Sequence, residues 1–183
     1  AVGVFPGVPP VKGRVHAARY LAERLARLGM EIDPEACLDR ARKAPVLPAG
    51  EPAGKEAPVV LHPGSGGRRK NFPPAFWQEL MQAFWEASGK AKADRVTLLL
   101  GPAERGLRET FEGAVQENRA RMVHSPRMEA LASLLGHARI YVGHDSGVTH
   151  LAAMLGAPTL ALFRDTDPRV WGPLGPRVQV ISG

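Results

Sequence analysis

The stretch Tyr141-Val142-Gly143-His144-Asp145-Ser146-Gly147-Val148-Thr149-His150 decides the fold. It reads as the end of a buried strand (Arg139-Ile140-Tyr141-Val142), a tight polar turn, and the first turn of a helix. The helix carries Val148, Leu151, Ala152 and Leu155 at i, i+3, i+4 and i+7, which makes one apolar face. Asp145 and Ser146 occupy the N-cap region, where side-chain oxygens accept from the free N–H groups of the first turn. Gly143 and Gly147 are expected to let the backbone turn sharply and approach a ligand. Such a helix start suits an anion, because exposed N–H donors and the positive dipole end point the same way. In an open parallel sheet it lies beyond the carboxyl ends of the strands, where ligands bind. The plain alternative is a capped strand–helix turn with no ligand. His150 weighs against that alternative. It falls nearly opposite Val148 in an otherwise apolar helix, one turn past the Gly-rich start, and is placed there either to pack or to donate to an anion.

Around this stretch, from Val59 onward, strand and helix patterns alternate. Apolar runs at Val59-Val60-Leu61, Val96 to Leu100, Arg121 to Val123, Pro158 to Phe163 and Arg177 to Ile181 read as further strands. Between them, Pro74 to Ala87 predicts a helix with Phe76, Leu80 and Phe84 aligned, and Trp77 and Trp85 packing. Gly101-Pro102-Ala103-Glu104 turns into a helix marked by Leu107, Phe111 and Ala114. Ser125 caps a third helix with Pro126 at its first position and Met128, Leu131 and Leu135 facing the core. Six short apolar strands with helices between most of them imply an α/β fold, a doubly wound, mostly parallel, Rossmann-like sheet. Before it, residues 1–12 are Gly/Pro-rich. A helix from Arg14 to Leu28 has Val15, Ala18, Ala22, Leu25 and Leu28 as its stripe and Gly29 as its stop. Residues 43–58 have linker composition. The chain thus divides into 1–42, the linker 43–58, and 59–183.

Composition narrows the function. The chain has 183 residues, 44% of them hydrophobic and 23% charged, enough for a real core and unlike a disordered segment. A formal net charge of +6 suits phosphorylated ligands, and solvated arginines are its ordinary alternative. Lys and Arg are dispersed without aromatic interleaving, which argues against nucleic acid. The single cysteine, Cys37, excludes an internal disulfide and a Cys-based zinc site. No His pair has helical zinc spacing, so no metal is expected. No run of 18 apolar residues exists to span a membrane, and the first residues carry no signal-peptide pattern. The absent initiator Met points to a fragment or a processed product.

A second loop carries chemistry. His62-Pro63-Gly64-Ser65-Gly66-Gly67-Arg68-Arg69-Lys70-Asn71-Phe72-Pro73 follows a strand with glycines that offer backbone donors, then three cations. It is neither a P-loop nor a dinucleotide Gly-x-Gly-x-x-Gly. The plain alternative is a solvated surface loop. Glu104, just past a strand end, suits either a ribose hydroxyl or a helix's first turn. In Asp165-Thr166-Asp167-Pro168, Thr166 suits either a phosphate or a turn.

Together these residues resemble the C-terminal half of the lipopolysaccharide heptosyltransferases, glycosyltransferase family 9. The matching pieces are His62 to Ser65 with Lys70 to Pro73, Leu100 to Glu104, Val142 to Ala153, Leu155 to Thr159, and Thr166-Asp167-Pro168. The resemblance implies one Rossmann-like domain of a two-domain GT-B enzyme, holding a nucleotide-sugar donor, typically ADP-heptose. Asp145, Ser146, Gly147, Val148 and His150 would line its diphosphate and sugar. Lys70 would neutralise phosphate with Ser65 beside it, Glu104 would meet the ribose, and Thr166 completes the donor-binding set. The chemistry implied is inverting, with no metal and no cofactor beyond the ADP-sugar substrate, at the cytoplasmic face of the inner membrane. The acceptor is a lipid-linked saccharide. The family's general base, an Asp, belongs to an N-terminal acceptor domain that this chain lacks, so no catalytic residue is expected here and the isolated chain should not complete transfer. An exposed apolar or basic surface is expected where that domain docks. Arg164-Asp165 stands where the family tends to have Gly-Pro, which adds charge at the cleft. The alternatives are a non-catalytic nucleotide-binding module of the same fold, and an epimerase of GT-B-like fold, against which the motifs argue.

Overall fold

A computed structural model describes residues 9, 13–47, 57–87, 96–117 and 119–183. Six strands, β1 (Val59–His62), β2 (Val96–Leu100), β3 (Arg121–His124), β4 (Ile140–His144), β5 (Thr159–Phe163) and β6 (Val178–Ser182), form one sheet in the order β3-β2-β1-β4-β5-β6. All five pairings are parallel, with His62 opposite Gly143 and Gly143 opposite Ala161. The chain order reverses between β1 and β4, so their carboxyl ends flank the crevice where this topology places ligands.

Period-two alternation sorts the core into two layers. Val59, Leu61 and Leu98 face α3 (Pro74–Ala87) and α4 (Arg108–Gln116), where they pack with Trp77, Met81 and Phe111. Val60, Leu99 and Tyr141 face α5 (Met128–Gly136) and α6 (Gly147–Met154), with Leu135, Ala152 and Leu155. Val148 and Leu151 complete the expected apolar face of α6 from its partly buried rim. The edge strand β6 is half-buried to exposed.

Several local expectations need correction. The first helix, α1, runs Ala17–Arg27; Val15 precedes it, Leu28 is exposed, and Tyr20 is the buried anchor. His16 caps it, its Nδ1 accepting from the Ala18 N–H at 3.2 Å, and Gly29 closes it at φ +89°. A second helix, α2 (Pro34–Lys43), was not anticipated, although Asp33 caps it by accepting from the N–H groups of Glu35 and Ala36 and Pro34 opens it. Helix α5 begins at Met128, not Pro126. Ser125 is in the left-handed region at φ 45° and gives its N–H to Leu100 O at 2.7 Å, so it extends the β3 turn instead of capping. Met128 is exposed, not in the core. Pro102–Leu107 forms a 3-10 turn before α4. Residues 1–8, 10–12 and 48–56, parts of the expected irregular segment and linker, lie outside the described residues.

The α1–α2 pair packs on the far end of α6. Val46 and Leu47 give their N–H groups to Met154 O, and His16 Nε2 donates to Gly172 O at 2.9 Å. Leu21, Leu28, Met30 and Val46 stay exposed on this side. No helix among the described residues is long and apolar enough to cross a membrane.

Candidate functional site

The turn after β4 builds the site. Ser146 caps α6, accepting from the Thr149 N–H at 3.3 Å. The buried Thr149 hydroxyl donates to His144 O, which leaves its lone pairs for Tyr141 Oη at 3.0 Å and Ser146 Oγ at 3.1 Å. The Ser146 proton is thereby drawn inward, and the backbone N–H groups of the first turn remain the outward donors. Gly143 does not make the turn, contrary to expectation. It is a strand residue, and a Cβ there would stand 2.2 Å from the buried Tyr141 hydroxyl. Gly147 does lie open, with nothing within 4 Å of its Cβ position.

Asp145 is the junction of three loops. Its Oδ2 accepts from Lys70 Nζ at 2.7 Å, out of the loop after β1, and from Thr166 Oγ1 at 2.8 Å, out of the loop after β5. His150 Nε2, one turn into α6, stands 3.9 Å from Oδ1. Burial lowers the His150 pKa, and the Asp145 carboxylate opposes that shift. The carboxylate is 8% exposed and Lys70 31%, so the pair is shielded yet within reach of a ligand.

On one flank of this junction lies a cavity of about 490 Å³, lined by Glu104, Met128, Leu131, Ser146, Gly147 and Val148 among others. Glu104 is buried and holds the turn after β2, its Oε2 accepting from Gly101 N at 2.8 Å. Gly64 packs so closely on this carboxylate that a Cβ would sit 2.0 Å from Glu104 Cδ. On the other flank a mainly apolar hollow of about 400 Å³ runs between α1 and α6, with His16, Val46, His150, Met154 and Trp171 in its wall. Ser65 is turned into its own loop: its hydroxyl lies 2.6 Å from Asn71 Oδ1 and accepts from Gly67 N.

Lys70, Asp145, Ser146, Gly147, Val148, His150 and Thr166 therefore come together, and Glu104 and Ser65 border the adjoining cavity, the Ser65 hydroxyl being bonded within its own loop. The reading of the residues missed the buried ring of His144, whose Nε2 accepts the Phe72 N–H at 2.8 Å. Its signal was a polar residue closing an apolar strand. The charges of Arg164 and Asp165 face the loop after β1: Arg164 Nη1 donates to Asn71 O at 2.9 Å, and Asp165 pairs with Arg69 at 3.4 Å. Among the described residues no three His, Cys, Asp or Glu gather as a metal site.

The pattern of glycosyltransferase family 9 (heptosyltransferase) matches residues 8–183. Lipopolysaccharide heptosyltransferase 1 of Pseudomonas aeruginosa is 37% identical over 127 residues, 68% of this chain and 33% of that protein. The E. coli heptosyltransferase WaaC with ADP superposes with a TM-score of 0.60 at 22% identity, over 72% of this chain and 40% of that one. A family 9 glycosyl transferase from Veillonella parvula superposes with a TM-score of 0.60 at 16% identity, over 90% of this chain and 40% of that one. These structures share the fold, one half of the GT-B architecture. The chain spans about a third of the curated relative's length. With its pattern matched across residues 8–183, the chain belongs to glycosyltransferase family 9, the heptosyltransferases.

Proposed function

We propose that this chain is the donor-binding half of a heptosyltransferase, taking a nucleoside diphosphate sugar, ADP-heptose or a close relative, for transfer to a lipid-linked saccharide of the lipopolysaccharide core. One observation carries the reading. Lys70, Thr166 and His150 converge on Asp145 at the start of α6, beside a cavity bordered by Glu104. The cavity suits the nucleoside, and Lys70 with the helix start suits the diphosphate and the sugar beside it. The relative solved with ADP supports adenine as the base.

The chemistry follows from charge. An acceptor oxygen forms a bond to the anomeric carbon as the bond from that carbon to the diphosphate oxygen breaks. The configuration inverts, and the acceptor's proton goes to a base in the remainder of the enzyme. Negative charge grows on the departing nucleoside diphosphate. Lys70 Nζ and the N–H groups of Gly147 and Val148 meet that charge where it develops, without a metal ion. His150 adds a donor, and Glu104 accepts from the ribose.

Titration calorimetry with ADP, UDP and GDP tests this. The chain should bind ADP most tightly, and Lys70→Ala and His150→Ala should each weaken it about tenfold or more. No binding, or equal binding in both variants, overturns the assignment.

A further inference from the structure

The peptide unit between Asn71 and Phe72 is gripped at both poles. Its carbonyl accepts from Arg164 Nη1 at 2.9 Å, and its N–H donates to His144 Nε2 at 2.8 Å. The carbonyl and N–H of a trans peptide point in opposite directions, so two such bonds fix the plane's rotation. Arg164 follows β5 and His144 ends β4, so the grip ties the loop after β1 to two neighbouring strands. Lys70 lies directly before this plane, at the end of a 3-10 turn closed by Lys70 N to Gly67 O and Asn71 N to Arg68 O.

The His144 ring is itself immobilised. It is fully buried, stacked on Phe72 at 5.6 Å and 5°, and met edge-on by Trp77 at 5.0 Å. Accepting at Nε2 fixes its neutral proton on Nδ1. Arg164, by contrast, is exposed and makes its bond from the surface. Neither side chain is among those that meet at Asp145.

We propose that His144 and Arg164 are positioning residues for Lys70, locking the 71–72 peptide so that the ammonium group stays at Asp145 and the start of α6. The consequence for donor binding rests on the function proposed above.

The test is a double-substitution cycle with ADP as the calorimetric probe. Arg164→Ala should weaken ADP about three- to tenfold, the range of one hydrogen bond, and Arg164→Lys should restore most of it. In a Lys70→Ala background Arg164→Ala should change affinity less than about twofold, because its effect passes through Lys70. His144→Phe, which keeps a ring but deletes the acceptor, should behave alike. An undiminished effect in the Lys70→Ala background would mean that Arg164 touches the nucleotide directly and overturns the proposal, as would no effect in the parent chain. Amide hydrogen exchange at Lys70 and Asn71 in the ligand-free chain reads positioning without nucleotide. Exchange should quicken about tenfold in Arg164→Ala and His144→Phe, and unchanged exchange overturns the proposal. If the parent chain binds no ADP, the donor reading fails while exchange still decides the positioning.

Discussion

Two glycines four residues apart, Gly143 and Gly147, behave oppositely because their neighbours differ. Gly143 faces the Tyr141 ring, which is 0% exposed and has nowhere to go; a Cβ would stand 2.2 Å from its hydroxyl and 2.7 Å from Cζ. Gly147 meets nothing within 4 Å. Gly143→Ala should therefore cost about 1–3 kcal/mol of stability by overpacking. Gly147→Ala should leave stability within about 0.5 kcal/mol and weaken ADP, because its Cβ enters the space of a ligand seated on the helix start. Urea unfolding and calorimetry on both variants check the pair. Proximity in sequence suggested one role for both residues. The difference lies in a tyrosine two positions back along the strand, whose side chain lies over the same face.

At the scale of the element, α6 is held at its start by one buried hydroxyl. Thr149 joins the cap residue Ser146, the strand carbonyl of His144 and the phenol of Tyr141. Burial, with the Glu104 carboxylate adding to it, pushes the Tyr141 pKa upward, so it stays a neutral donor. Thr149→Val keeps the shape and deletes the hub, taking from the buried Tyr141 hydroxyl its Thr149 partner. That should cost about 1–3 kcal/mol, more than the roughly 1 kcal/mol expected for Ser146→Ala, which removes only a cap. Denaturation midpoints of the two variants give the comparison. The N-cap of this helix and the whole of α3 were legible because periodicity and capping are local properties. Helix α5 was misplaced because Ser125-Pro126 carries the same local signals, while the 2.7 Å bond of Ser125 to Leu100 O in the neighbouring strand takes that residue out of the helix.

For the whole molecule, three histidines shape the response to acid: His62 and His144 are buried, and His150 is half-buried. Burial lowers the pKa of His62, His144 and His150, that of His144 to about 4. Below the ordinary value of 6.5 the unfolded chain therefore binds more protons than the folded one. Stability is full above about pH 6.5 and falls as pH drops toward 4. His144 alone accounts for on the order of 3 kcal/mol across that window. Urea midpoints from about pH 7.5 to 4.5 should fall, and His144→Gln should flatten the fall. Apolar periodicity, turn residues and the Asp145 to His150 motif by themselves determined the doubly wound class, the strands and the family, because each is written within a few neighbouring residues. The tertiary structure alone decided that Lys70 meets Asp145, that His144 meets Phe72 and that Arg164 meets Asn71, pairs separated by 75, 72 and 93 residues. Those contacts depend on the order β1-β4-β5 across the sheet, which brings three loop ends to one point. A charge in a sequence carries no record of the partner that strand order will set beside it.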